Sequence, residues 1–441
     1  FLFLLKISLK KLIMKNLLFT LTLLYVLIPL SVNAQGDTFI RSSLNMILIE
    51  DFGFDNGELV EEAYKNYEFP VGVYNDHNIP LKSMFLSDYL LTPEEEEEYG
   101  VSKSMAGELL SASVTEGTAG IIQDNSKVEF QLMKYAKENK LAHEIIKRWF
   151  NIADDGSFNQ NYVHEMINVQ LTKEQELEAL ASGSESAEIS KNREYLIDNT
   201  YVVFTRMNFI SNEIVALPIY TEAMKEIEKM ENPLVKLAAE KAAQKIYEKT
   251  REGYSVWTTG WLFDLVWDDE SFNKLRSSTE MDESGARKIN LEKFYDIDFK
   301  MNFLGKERAT SLVTFSLKKG EGNRTEKEIL DLSTNRNIDK VLVKLQRGYE
   351  QFMPIFPLQS DSPPGAYLGT KEGIDGGEKF EVLQKNPDGS YKSVGTITVD
   401  KKKVWDNQYQ GSGIEVSDGM TYFKGKLKKG QGKGTLIRQK R

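Results

Sequence analysis

Apolar and polar positions along this chain follow two periods, and each predicts its own elements. Residues 45–51, Asn-Met-Ile-Leu-Ile-Glu-Asp, form a short apolar run that reads as a buried strand. Residues 58–67 predict a helix, and 70–74 a second short strand. Thr92, Pro93 and the glutamates Glu94 to Glu98 combine an N-cap residue, a proline at the first helical position and acids in the first turn. That run therefore predicts an exposed helix rather than a metal-binding patch. Val128, Leu132, Tyr135, Leu141, Ile145, Ile146 and Trp149 recur at helical spacing and predict one long amphipathic helix over 126–152. Shorter helices are expected at 163–169 and after Thr172, with a polar linker at 182–190.

The strand period takes over further on. Residues 200–209 are rich in β-branched and aromatic side chains. A helix is expected over 223–252, broken at Pro233 because proline lacks the interior donor. In 254–267, Trp257, Trp261, Phe263, Leu265 and Trp267 share one strand face. In 294–303, Tyr295, Ile297, Phe299, Met301 and Phe303 face one way and Asp296, Asp298, Lys300 and Asn302 the other. With a turn at Leu304-Gly305-Lys306 and a strand at 309–317, this predicts an antiparallel hairpin with one wet face. A helix is expected at 338–352. Pro354, Pro357, Pro363 and Pro364 read as a linker. The short glycine-punctuated strands after it, at 366–368, 379–384, 393–399, 403–405, 421–426 and 435–438, predict a small β-barrel.

The fold class expected is α+β: helices packed on an antiparallel sheet, followed by a small C-terminal β-barrel. The expected divisions are 1–34, 35–190 (α/β and helical), 191–353 (α+β with long strands), 354–365 (linker) and 366–441 (barrel).

The start of the chain changes the expected compartment. Met14, Lys15 and Asn16 precede an apolar run from Leu17 to Val32, and Val32-Asn33-Ala34 supplies small residues before Gln35. This is the layout of a secretory signal peptide cleaved before Gln35. Residues 1–13 read as upstream translation or a misplaced start. The expected location is periplasmic or secreted, with outer-membrane association as a further possibility. The chain has no cysteine, which excludes disulfides, a thiol nucleophile and a lipid-anchored N-terminus. Its net charge of −10 is uneven: residues 355–441 hold 15 basic and 10 acidic residues, and 424–441 hold eight basic residues and no acid. Lys424, Lys426, Lys428, Lys429, Lys433 and Arg438 are the candidate surface-binding residues, for an envelope protein, an anionic lipid surface or a glycan. Export disfavours nucleic acid as a partner. A solvated strand face with lysines guarding an edge explains the same residues.

The segment from Leu368 to Val382 carries Gly369, Gly373, Ile374, the pair Gly376-Gly377 and then Phe380-Glu381-Val382. Gly373 permits a sharp turn, Ile374 can plug a barrel end, and the glycine pair lets the chain reverse. This pattern resembles the C-terminal β-barrel module of exported envelope proteins of the flagellar-assembly type. Together with 394–399, 404–407, Trp149-Phe150-Asn151, 199–203 and Trp267-Asp268-Asp269, it resembles a family of uncharacterised secreted proteins of Bacteroidota-type bacteria. The resemblance implies an envelope location and no known reaction.

Catalytic and metal chemistry finds partial patterns. His143-Glu144-Ile145-Ile146-Lys147 begins like a zinc-protease helix, but Lys147 stands where the second histidine belongs. His164-Glu165 lacks a partner, and His77 stands apart. Asn151, Asp155, Ser157 and Asn159 form a weak calcium candidate in a loop where Ala153 and Tyr162 occupy two ligand positions. Asp264, Asp268, Asp269, Asp296 and Asp298 near the Trp257–Trp267 strand are the carboxylates a polymer hydrolase would use. An aromatic stripe at strand period more often marks core. No cofactor is expected. The reading is a non-catalytic exported protein that binds or assembles at the bacterial cell envelope. The alternative is an envelope polysaccharide or peptidoglycan hydrolase. Oligomerisation through the alternating strands stays open.

Overall fold

In the computed structural model the long strands stack against helices on both faces of one sheet, and a second sheet curls at the C-terminal end. The structure describes residues 42–51, 55–70, 73–76, 78–99, 127–158, 197–283, 285–313, 324–386, 391–408, 419–428 and 431–440. The leader segment, His77, His164, Asn159, Lys429 and the helices expected at 163–169 and after Thr172 lie outside these residues.

The first sheet has the order β2-β1-β3-β4-β7, from β1 (Ser43–Ile49), β2 (Ser83–Met84), β3 (Thr200–Ser211), β4 (Tyr254–Leu265) and β7 (Met301–Val313). The β1 strand pairs parallel with both β2 and β3, whereas β3, β4 and β7 are antiparallel. The sheet is therefore mixed, not antiparallel as the sequence predicts. Both of its faces are covered, which is why β1 and β3 read as near-continuous apolar runs. Ile47, Ile49, Val202, Phe204, Trp261 and Phe263 face one core, with helices α3 (Val128–Glu138) and α4 (Leu141–Trp149). Leu44, Met46, Tyr201, Val203 and Leu262 face the other, with α1 (Gly57–Lys65) and the long helix α9 (Glu326–Gly348). Gly260 lies under α9: a Cβ there would meet Val341 Cγ1 at 2.3 Å.

Several local expectations are corrected. The helix expected over 126–152 is two helices, because Lys140 adopts a left-handed conformation (φ 52°) and Asn139 donates its side-chain N–H to Tyr135 O at 3.0 Å. Of the stretch expected as a strand at 70–74, the described residues Pro70, Val73 and Tyr74 are in no strand, and the neighbouring Asn75 makes a single bridge to Ser43. Residues 294–300 are not a strand. Asn290 Oδ1 accepts Lys293 N–H and caps α8 (Leu291–Asp296), and the chain then runs extended into β7. The alternating apolar residues still meet one core, where Tyr295, Ile297, Phe299, Met301 and Phe303 gather. Gly305 is a β-bulge inside β7, not a turn: pairing slips between Leu262 and Phe263, and the Tyr349 hydroxyl sits 1.9 Å from where a Cβ would be. The helix expected at 338–352 begins earlier, at a capping box between Thr325 and Glu328. A second capping box, Thr92–Glu95, starts α2 (Pro93–Glu98), which stands as predicted.

The remaining elements are two helices between β3 and β4, namely α5 (Asn212–Glu228) and α6 (Pro233–Thr250); α7 (Asp269–Ser277); and a small ribbon of β5 (Thr279–Met281) with β6 (Arg287–Ile289). No described helix is long and apolar enough to cross a membrane.

The second sheet is antiparallel throughout, in the order β8-β14-β11-β12-β13-β10-β9. Its strands are β8 (Ile355–Pro357), β9 (Ser360–Asp361), β10 (Pro364–Ala366), β11 (Lys379–Lys385), β12 (Tyr391–Val399), β13 (Thr421–Lys424) and β14 (Leu436–Gln439). It is a curled half-barrel rather than a closed barrel. The stretch expected as a proline-rich linker supplies three of its strands, short and near the edges, where proline is tolerated. Gly373, Gly376 and Gly377 all take positive φ, at 73°, 105° and 99°, and Ile374 is buried. Its inner residues Phe380, Val382, Ile397, Val399, Phe423 and Ile437 belong to the same core as α9 and β3.

Candidate functional site

The carboxylates expected near the aromatic strand do separate local jobs. Asp268 Oδ1 accepts Ser271 N–H at 2.7 Å and caps α7, and Asp269 opens that helix. Asp298 pairs with Lys300 at 3.4 Å on an exposed surface. Asp296 ends α8. Asp264 is half-buried on β4, and burial raises its carboxyl above the ordinary range. The aromatic stripe is core. Trp261 is fully buried, and Trp267 packs against Phe150, Phe272 and Phe299 at 5.8–6.5 Å between ring centroids. Trp257 alone of the five is substantially exposed.

His143 sits in an aromatic box of Phe294, Tyr295 and Phe299, with centroids 5.1–5.5 Å away. Burial lowers its pKa to about 4, so the ring is neutral at pH 7. Lys147, one turn on, turns to Asp154 and the Tyr295 ring. In the calcium-loop candidate, Asp155 Oδ1 accepts from both Ser157 N–H (2.9 Å) and Ser157 Oγ–H (2.6 Å), and Lys288 reaches its other oxygen at 3.4 Å. Asn151 takes a left-handed backbone conformation (φ 45°). Ile289 N–H donates to Gly156 O, tying this loop to β6. Among the described residues, no three His, Asp or Glu side chains gather as a metal ion would need.

The basic barrel residues are partly engaged. Lys424 pairs with Asp400 at 3.1 Å, and Arg438 with Glu381 at 3.2 Å. Lys426, Lys428 and Lys433 project into solvent.

Two features go beyond the sequence expectations. The first is a buried polar seam where α9, the segment after α1 and the 369–373 loop meet. The Tyr67 hydroxyl donates to Asp339 Oδ1 at 2.8 Å, and Asp339 Oδ2 is buried without a hydrogen bond. Glu372 accepts from Gly369 N–H (2.6 Å) and Asn407 Nδ2 (2.8 Å). Lys371 lies over the Tyr67 ring at 5.2 Å, and Arg347 donates to Gly373 O at 2.6 Å. Burial raises both acids, Asp339 to about 6. A cavity of about 320 Å³ opens nearby between Arg347, Gly348, Met353, Gln439 and Lys440. The seam joins the half-barrel to the body; it presents no nucleophile.

The second is the α5–α6 hairpin. Ser211 caps α5, Asn232 Oδ1 accepts Leu234 N–H and Val235 N–H, and Pro233 starts α6. Tyr220 and Tyr247 stack at 4.6 Å between the helices. Little else is buried: no residue of α6, and only Asn212, Ala216 and Ile227 of α5. Large apolar side chains instead face solvent, with Leu234 80%, Ile219 67%, Ile246 66% and Val235 54% exposed. Local sequence shows the helices and the Pro233 break, but which faces find partners depends on tertiary placement.

No protein-family model and no curated protein matches this sequence.

Proposed function

We propose that this chain is a non-catalytic exported protein that binds or assembles at the bacterial cell envelope, with the α5–α6 hairpin as its docking element. One observation carries the docking role: two helices, of 17 and 18 residues, stand between adjacent strands with most of their large apolar side chains uncovered. Exposed apolar patches of this kind mark interaction surfaces. The leader-like pattern before Gln35 supports export, and the solvated lysines of the half-barrel support contact with an acidic surface.

The test is fractionation of native cells, with the mature N-terminus sequenced in each fraction. It compares the full chain with a variant in which 213–252 is replaced by an Asn-Gly turn. The expected result is a chain that begins at Gln35 and sediments with the envelope, and a variant that is released. An uncleaved start overturns export. A variant that sediments as the full chain does overturns the docking role.

A further inference from the structure

We infer that the partner of the α5–α6 hairpin is a second copy of the same hairpin, the two forming an antiparallel four-helix bundle. The inference rests on the docking role above and names the occupant.

The helical period sorts the exposed residues by side. Ile219 of α5 falls on one side of the hairpin together with Val235, Ala242 and Ile246 of α6. Leu217 and Leu237 fall on the other. On the first side the exposed surface of α6 between Val235 and Ile246 is the small Ala242, with the half-buried Ala239 and Ala243 behind it in the row that also holds Tyr247 and packs toward α5. A small residue there lets another helix approach closely, and the larger residues at either end fill the flanks.

Charge then selects the partner. The α5 helix carries Glu213, Glu222, Glu226 and Glu228 against Lys225. The α6 helix carries Lys236, Lys241, Lys245 and Lys249 against Glu240 and Glu248. An acidic and a basic helix side by side are complementary to themselves after a half-turn. A two-fold axis parallel to the helices places α5 of one copy over α6 of the other. Every neighbouring pair in the bundle is then antiparallel and of opposite charge. A uniformly acidic or basic partner would attract one helix and repel the other. An isologous contact is also the commonest form of self-association.

The helix lengths bound the contact area. Helices of 17 and 18 residues are about 26 Å long. A two-helix face about 20 Å wide covers roughly 500 Å² per copy, near the lower limit for a specific interface. A contact that small, built on a few aliphatic side chains with no aromatic or arginine anchor, is expected to be weak, and the titration below spans the micromolar range.

The experiment is light scattering coupled to size exclusion on the purified mature chain, with sedimentation equilibrium from about 1 to 200 µM. Wild type is expected to shift from monomer to dimer across that range. The double variant Ile219→Glu, Ile246→Glu should stay monomeric, with an unchanged circular-dichroism spectrum because both side chains are exposed in the monomer. The variant Leu217→Glu, Leu237→Glu, on the opposite side, should dimerise as wild type does. A wild type that is monomeric at 200 µM overturns the inference, as does a dimer that Ile219→Glu, Ile246→Glu leaves intact. Failure here is distinct from failure of the docking role. A monomer whose hairpin is still needed for envelope sedimentation sinks only the second-copy partner. A wild type that dimerises, together with a hairpin-less variant that still sediments with the envelope, sinks only the envelope docking role.

Discussion

Asp339 gives the sharpest test of the seam. Its carboxyl is 6% exposed, its Oδ1 accepts the Tyr67 hydroxyl at 2.8 Å, and its Oδ2 has no hydrogen bond. Burial dominates and holds the pKa at about 6, from an ordinary 3.8. The positive charge of Lys371 pulls it down, and Glu372 and Glu68 push it up. A raised carboxyl stabilises the fold below its unfolded pKa, and that stability is lost as pH rises through the folded value. Between about pH 4 and 6 the unfolded chain releases this proton and the folded chain keeps it. At about 1.4 kcal/mol per pH unit the loss is about 3 kcal/mol, of which about 2 kcal/mol falls between pH 4.5 and 7. Asp339→Asn keeps an acceptor for Tyr67 and removes the titration. Urea unfolding of both chains from pH 4.5 to 7.5 should therefore show the variant gaining on wild type by about 2 kcal/mol as pH rises, then running parallel. A gap constant within roughly 0.5 kcal/mol across that range would show that Asp339 ionises freely in the folded state and would refute the account.

Gly260→Ala should destabilise by about 1–3 kcal/mol in the same assay, because the new methyl meets Val341 on α9 and must push the helix off the sheet. The imidazole resonances of His143 should not move between pH 5.5 and 8, and adding zinc should not broaden them, since the ring is held neutral in its aromatic box. Replacing 213–252 by Asn-Gly should leave a cooperative two-state transition by calorimetry, with a loss of no more than about 2 kcal/mol. Loss of cooperativity would show that the hairpin belongs to the core.

What could be read along the chain was whatever local chemistry decides. The Thr92–Glu95 cap, the Pro233 break, the β3 and β4 strands and the short strands of the half-barrel all follow from residues within a few positions of one another. The capping box at Thr325 and Glu328 was equally local, and it marks the start of α9 twelve residues before the expected helix. Where a local cap competes with periodicity, the cap wins: Asn290 turns the alternating 294–296 into helix, and Asn139 with Lys140 splits one helical pattern in two. Gly305 shows the opposite ambiguity, since a glycine in a strand pattern marks a bulge as readily as a turn. Long-range choices left no such trace. Parallel pairing of Ser43–Ile49 with Thr200–Arg206 spans more than 150 residues, and the Tyr67–Asp339 bond spans 272.

The two sheets and the hairpin stand in opposite relations to the core. The half-barrel does not close on itself by pairing β8 with β9. Its inner residues join one hydrophobic cluster with Val341, Leu342 and Leu345 of α9 and Val203 and Leu262 of the first sheet, so helix and sheet fill the space that closure would otherwise seal. Removing that module would expose both partners. The hairpin is different. Asn212 N–H donates to Gly253 O at 3.0 Å, so the strands it joins are already in register at its base, where a two-residue turn would serve. The forty residues between them bury Ala216 and Ile227 and leave Ile219, Leu234, Val235 and Ile246 in water. Helices gain most of their stability from packing an apolar face. Among the described residues this element orders much chain for little burial, and the proposed contact with a second copy would supply the packing its apolar side chains lack.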